Sequence, residues 1–416
     1  MALELEPVDH ALLNGELGAG AAHAMELLVQ YGKAARAERF IPIVSAHIDG
    51  CLYHGPSSID FAARFVELGG RVRVPTTLNV AALDTTHADW HCGQSGLREA
   101  QIKLNSLHVA LGCTPTLTCA PYQRMPRPRL GEHVAWAESN AIVFVNSVLG
   151  ARTDRYGDFA DLCAALTGRV PLAGLHRDEN RLAQVIFDVV GLARSRLPRD
   201  LYFAALGYVL GRLSGGRVPL LDGLPADTNE DELKAIGAAA ASSGAIALFH
   251  VLGLTPEALN LDHAFGGRIV PSPVVISSQE LNDALRALCP LEPGEPVAAM
   301  CLGTPHYSRD EFTQLARVVA GRQSAKDVES YVSTSRAIAA EVMQSPDYPA
   351  LQAFGIKIVV DTCTYLTPGL RMRSGAIVTA SAKYAHYGPI NLRRRVGLMT
   401  LERCVRSIEQ GSVAVP

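Results

Sequence analysis

Short apolar runs that stop abruptly in polar loops recur along this chain, and they constrain its fold more than any other feature. Residues 39–46 (RFIPIVSA) read as a short β segment ending in SAHIDG, which puts Ser45, His47 and Asp49 at a strand's end. Residues 58–68 follow as a crossover helix closed by Gly69 and Gly70. Residues 71–74 (RVRV) read as the next strand, with Pro75, Thr76, Thr77 and Asn79 in the loop after it. The pattern returns at 141–145 (AIVFV, a strand running into NSVLGARTDRYG), at 297–301, at 355–360 and at 376–379. Strand, polar loop, helix, strand is the signature of a parallel α/β fold. In such sheets ligands bind at the carboxyl ends of the strands. Residues 241–250 read as a buried strand or helix, because periodicity does not separate the two. Residues 268–276, with Pro271 and Pro273, read as irregular or edge structure. Residues 23–31 read as helix, and Leu398, Leu401, Val405 and Ile408 as one face of a terminal amphipathic stretch. Three α/β regions are expected, 1–130, 131–290 and 291–416.

Several function classes are disfavoured at once. The 41 acidic residues nearly balance the 38 basic ones, so bulk charge gives no reason to expect nucleic acid. The acidic N-terminus lacks the basic and apolar regions of a secretory signal, and the apolar run near 241–254 is too short and too polar to span a bilayer. A cytoplasmic protein without membrane contact is expected. Nine scattered cysteines do not make a disulfide scaffold, and in a reducing compartment they are buried thiols, metal ligands or both. No Walker A, HExxH or G-x-S-x-G pattern occurs, and GELGAG follows no strand.

What remains is chemistry at the ends of the apolar runs. Cys119, Cys301 and Cys363 each sit there, and three thiolates from distant segments could hold an iron–sulfur cluster with one iron open as a Lewis acid. Buried, inert thiols are the other reading of the same residues. Cys51, Cys92, Cys163, Cys289 and Cys404 read as structural, and Cys113 stands as a rival to the ligands. Glu138, Ser139, Asn140, Asn146, Ser147, Arg152 and Thr153 surround the 141–145 run. They supply what a small polyfunctional substrate needs: an arginine for a carboxylate, amides and hydroxyls for orientation. The same residues also read as surface turns. His176 stands in GLHRDENR, and Lys383, in a chain with six lysines against 32 arginines, follows the last apolar run.

SAHIDG (45–50), VPTTLN (74–79), TCAPY (118–122), AESNAIVFVNSVLGARTDRYGD (137–158), GLHRDENR (174–181), GTPHYS (303–308), DTC (361–363) and SAKYAHY (381–387) together resemble the aconitase X family, in its large, cluster-bearing component. The resemblance runs from about residue 5 to 405. It implies an aconitase-like fold of three α/β/α domains around a central cleft, with the swivelling domain absent from this chain and carried by a separate small subunit. It implies a hydro-lyase with an iron–sulfur cluster. Bacterial members dehydrate cis-3-hydroxy-L-proline, and archaeal relatives mevalonate 5-phosphate. Where some members read GCPH, this chain has Gly303-Thr304-Pro305-His306, so Cys301 is taken as the replacement third ligand beside Cys119 and Cys363, and [2Fe-2S] is favoured over [4Fe-4S]. Lys383, His176 and His306 become the catalytic candidates. Ser45, His47, Asp49, Thr76, Thr77, Asn79, Ser139, Asn140, Asn146, Ser147, Arg152 and Thr153 become the substrate-pocket candidates. An amino-acid-like substrate wants a cation for its carboxylate and an acceptor for its ring amine, which Arg152, Lys383, Asp49 and Asp361 can supply. The proline-type substrate is therefore favoured over mevalonate 5-phosphate, and a non-catalytic iron–sulfur binding or sensing protein is the reading from another class.

Overall fold

The computed structural model describes residues 3–91, 95–194, 197–366 and 369–416, so Cys92 lies outside the described residues. The chain is α/β and divides into two compact units. One comprises Met1–Ala81, Ser95–Ala183 and Ala247–Arg268; the other comprises Ala82–Gln94, Gln184–Ile246 and Ile269–Pro416. Among the described residues no helix is long and apolar enough to cross a membrane.

The first unit is built on a small parallel sheet. Ala46–Ile48 lies between Thr76–Leu78 and Ala135–Trp136, with His47 opposite both Thr77 and Trp136. An antiparallel pair, Phe40–Pro42 with Arg169–Pro171, closes another side. Helices Ala19–Ala34 and Ala160–Thr167 bury Met25, Leu28, Leu162 and Leu166 in a core shared with Phe40, Phe65 and Leu78. Buried Arg169 ties the first helix, Pro7–Leu13, to this core through Asp9 (2.9 Å) and Glu6 (2.7 Å). Two expectations fail here. Residues 71–74 form no strand; the pairing starts later, and Thr76 and Thr77 are themselves in the strand. Residues 141–145 belong to a helix, Ser139–Ser147, whose residues from Asn140 onward are all buried. A helix hidden on every side carries no amphipathic period, so its apolar run looks like a core strand.

The second unit holds a five-stranded sheet in the order Ile356–Val359, Glu329–Ser333, Val297–Leu302, Ala376–Thr379, Val396–Leu398, parallel throughout. Three of these strands coincide with the expected apolar runs. Helices Arg309–Val319, Arg336–Met343, Tyr348–Phe354 and Leu401–Gln410 pack Phe312, Leu315, Ile338, Leu351, Phe354 and Val405 against it. Val185–Asp188 pairs in parallel with Pro219–Asp222 and with the short edge strand Val274–Val275, which meets the expectation for 268–276. The ambiguous 241–250 run begins as the end of helix Glu230–Gly244, continues without regular structure and ends at His250 in the short strand His250–Val251. That helix packs against Arg199–Ser214 at backbone contact: a Cβ on Gly207 would stand 2.4 Å from Ile236 O, so only glycine permits the approach.

Candidate active site

In the second unit the loop after Val297–Leu302 carries Gly303, Thr304, Pro305 and His306. Gly303 has φ +84, and a Cβ there would lie 2.1 Å from Ser333 O, so the strand can turn only at glycine. His306 is fully buried, and its Nε2–H donates to Thr362 O at 3.1 Å. A carbonyl can only accept, so the ring's lone pair sits on Nδ1. The acceptor belongs to the residue before Cys363, and the ligand atoms of His306 and Cys363 lie within 4.8 Å of each other. An imidazole and a thiol held together by one loop suit iron.

The Cys363 loop is itself clamped. Asp361 has φ +67, and Arg336 grips both its oxygens at 2.6 Å while the Thr85 hydroxyl donates to one of them. Asp84, beside Thr85, accepts from Val360 N at 3.1 Å. Cys301 is placed differently. It is 0% exposed within its strand, close to the Tyr384 hydroxyl, and burial pushes its thiol up to about 11.

Lys383 opens helix Ala382–Leu392, capped by Ser381, whose hydroxyl also donates to Thr304 O. Lys383, Ser381 and Thr304 line a cavity of about 490 Å³ with Lys234, Asp231 and Glu311. Lys234 is 3% exposed and sits between the carboxylates of Asp231 (2.8 Å) and Glu311, with His306 O at 3.5 Å. Burial lifts Glu311 to about 7, against the pull of the lysine.

In the first unit Cys119 is buried, and Asn140 Nδ2 donates to its carbonyl (2.9 Å) and to the Tyr122 hydroxyl (2.9 Å). The carboxyl ends of the three parallel strands bring together His47, Asp49, Asn79 and Glu138. His47 Nδ1 bonds Thr77 Oγ1 at 2.8 Å, and burial lowers the ring to about 4, so it is neutral. Asp49 is raised to about 7 by burial and by the charges of Glu138, Asp161 and Asp158, although Asn79 donates to it. Asp161, beneath it, is raised to about 6 by burial while accepting from the amides of Asp49, Gly50 and Leu162.

The other pocket candidates hold the scaffold. Asn146 is saturated: its amide donates to Thr153 O and Ala247 O, and its oxygen accepts from Thr153 N and Arg181 Nη1, all within 2.9–3.0 Å. Ser147 caps Phe249 N, Thr153 bridges Trp136, Ser45 accepts from the Trp136 indole, and Ser139 donates to Glu138. The Thr76 hydroxyl turns back to Val74 O. Arg152 pairs with exposed Asp178. His176 has both ring nitrogens engaged, one with His133 and one with the Tyr156 hydroxyl, and burial lowers it to about 3. Lys234, Glu311 and Arg336 were absent from the sequence-derived set; only Lys234, a lone cation in an alanine-rich helix, carried a signal.

Three family models match the chain: the aconitase X first domain over residues 2–179, the second over 183–286 and the third over 297–410. The chain is 41% identical to the cis-3-hydroxy-L-proline dehydratase of Pseudomonas aeruginosa over 98% of its own length and 70% of that protein's. It is 33% identical to the phosphomevalonate dehydratase large subunit of Thermococcus kodakarensis, over 91% of this chain and 93% of that one. The crystal structure of Thermococcus kodakaraensis aconitase X in its holo-form superposes with a TM-score of 0.85 at 31% identity, covering 97% of this chain and all of the other.

Proposed function

This chain belongs to the aconitase X family, and on that premise we propose that it dehydrates cis-3-hydroxy-L-proline to Δ1-pyrroline-2-carboxylate. The observation that carries the reading is the 41% identity with a dehydratase of that substrate across nearly the whole chain. The reaction breaks C2–H and C3–O, forms C2=C3 and releases water. The enamine then moves a proton from nitrogen to C3 and becomes the cyclic imine.

An iron–sulfur cluster fits the donors present, and Cys119, Cys363 and His306 would hold it. His306 replaces Cys301 in this set because its lone pair faces away from Thr362 and because the Cys301 thiol is costly to ionise. When bound, the cluster supplies a Lewis acid for the departing hydroxyl. A mixed cysteine–histidine set favours [2Fe-2S]. The chain's own residues position and shield. Asn140 fixes the Cys119 segment, and Arg336 with Thr85 fixes the Cys363 loop. Lys383 is the cation for the substrate carboxylate. The base that takes the C2 proton belongs to a small partner subunit, a reading supported by relatives that are named large subunits.

The test is an anaerobic assay of the reconstituted chain, with and without the candidate small subunit, on cis-3-hydroxy-L-proline and on mevalonate 5-phosphate. Turnover of the first, only on mixing, is expected. Turnover of mevalonate 5-phosphate alone overturns the substrate, and full activity of the isolated chain overturns the partner. Cys119→Ser, Cys363→Ser and His306→Ala should each lower bound iron; loss through Cys301→Ser with His306→Ala intact would restore Cys301 as the third ligand.

A further inference from the structure

The five-stranded sheet has one place where its winding reverses. Val297–Leu302 comes first in the chain, and Glu329–Ser333 and Ile356–Val359 then add on one side of it. The chain next crosses over to lay Ala376–Thr379 against its other side, with Val396–Leu398 beyond. The loops that leave the carboxyl ends of Val297–Leu302 and Ala376–Thr379 therefore run in opposite directions. The crevice between two such loops is where open parallel sheets bind ligands. Thr304 follows the first of these strands and Lys383 the second. The Ser381 hydroxyl ties the two loops together by donating to Thr304 O, and all three residues line the cavity of about 490 Å³.

Thr304 carries an independent sign of a ligand. Its Oγ1 is buried and meets no hydrogen-bond partner in the protein, in a residue 3% exposed. A buried hydroxyl left unpaired costs free energy, and native structures carry few of them. The neighbouring Ser381 makes the contrast: its hydroxyl serves both Thr304 O and the amide of Tyr384. The fold spends one hydroxyl fully and leaves the other unspent at the crevice.

The surroundings indicate what Thr304 meets. Lys383 brings a positive charge into the same lining, and a hydroxyl proton beside an ammonium suits an anion with two oxygens. The acids of the cavity, Asp231 and Glu311, are already answered by Lys234.

We propose that the Thr304 hydroxyl is a substrate contact, donating to one oxygen of the substrate carboxylate while Lys383 holds the other. The proposal rests on the dehydratase reading above and deepens it. The carboxylate is common to substrate and product and is not altered by the elimination. Thr304 therefore acts on binding and leaves the chemical step to other groups.

Thr304→Val removes the hydroxyl and keeps the shape. On the cluster-loaded protein with its small subunit, KM for cis-3-hydroxy-L-proline should rise about 10- to 100-fold, the weight of one hydrogen bond to a charged group, with kcat within about 3-fold of the parent. Thr304→Ser returns the hydroxyl and should recover most of the loss. Calorimetry with L-proline and L-prolinamide reads the carboxylate directly. The valine variant should weaken L-proline by the same factor and leave L-prolinamide, which lacks the charge, within about 3-fold. Stability carries the opposite sign. Removing an unpaired buried hydroxyl costs the empty protein nothing, so Thr304→Val should melt no lower than the parent. An unchanged KM, equal losses for the two proline ligands, or a parent without measurable affinity for L-proline overturns the contact. So does a valine variant that melts lower or fails to fold, because the hydroxyl would then be serving the fold. Failure of the dehydratase reading shows instead as no turnover of hydroxyproline by the parent, and it leaves the calorimetry readable.

Discussion

Replacing Lys234 by methionine isolates the contribution of one buried cation. The lysine is enclosed between Asp231 and Glu311 and reaches the carbonyl of His306. Methionine has nearly the same length and keeps the packing, so the loss is electrostatic. Breaking a buried pair from one side leaves uncompensated charge and costs about 3–5 kcal/mol. For a body of 150–250 residues each kcal/mol moves the melting temperature by about 2–4 °C, which gives a fall of roughly 6–20 °C. The loss should depend on pH. Glu311 already sits near 7 in the presence of the lysine, and without it the group is raised further. A carboxylate whose folded pKa is raised loses stability as pH climbs towards that pKa, so the gap between variant and parent should open above pH 7 and narrow below it. Differential scanning calorimetry at pH 6.5 and 8.5 reads this directly. Adding Glu311→Gln to the variant should recover most of the loss at pH 8.5. A Lys234→Met protein that melts within about 2 °C of the parent at pH 8.5, or one whose loss is the same at both pH values, would refute the reasoning.

Other outcomes follow from the same physics. Arg336→Leu removes both bonds to Asp361 and should lower iron retention on dialysis, while Arg336→Lys should restore it only in part because one of two parallel bonds is lost. Asp49 holds its proton up to about 7 in the folded chain and only to about 4 when unfolded. The empty protein should therefore lose stability between those values as pH rises, and Asp49→Asn should flatten that slope in urea titrations. Asn146→Ala strips four hydrogen bonds from a fully buried site and should destabilise by about 2–4 kcal/mol by chemical denaturation, with KM for any surviving activity near that of the parent.

The sheet edges were legible in the sequence and the contents between them only partly. Val297–Leu302, Ile356–Val359 and Ala376–Thr379 announced themselves as apolar runs closed by polar loops, because a strand buried on both faces has no other pattern. Ser139–Ser147 hid for the same reason: burial on every side erases the helical period. Polarity near a strand end was a fair guide to importance and a poor guide to kind. Asn146, Ser147 and Thr153 look like a substrate lining and spend every bond on the scaffold, whereas Asp49 and Asn79 directly follow strands that lie later in the chain than the apolar runs suggested, and His47 lies within one. His306 and Cys363 are 57 positions apart, and the bond from the ring to Thr362 that joins them exists only in three dimensions. The same holds for Lys234 and Glu311, which have no sequence relation at all.

Glu138 sets a strained backbone against the helix cap that its side chain provides. Its left-handed backbone would relax if the residue were glycine, by something on the order of 1 kcal/mol. A library screened for survival at high temperature should therefore return Glu138→Gly early, and the winners would be proteins that have traded the cap on Ala141 for a relaxed backbone.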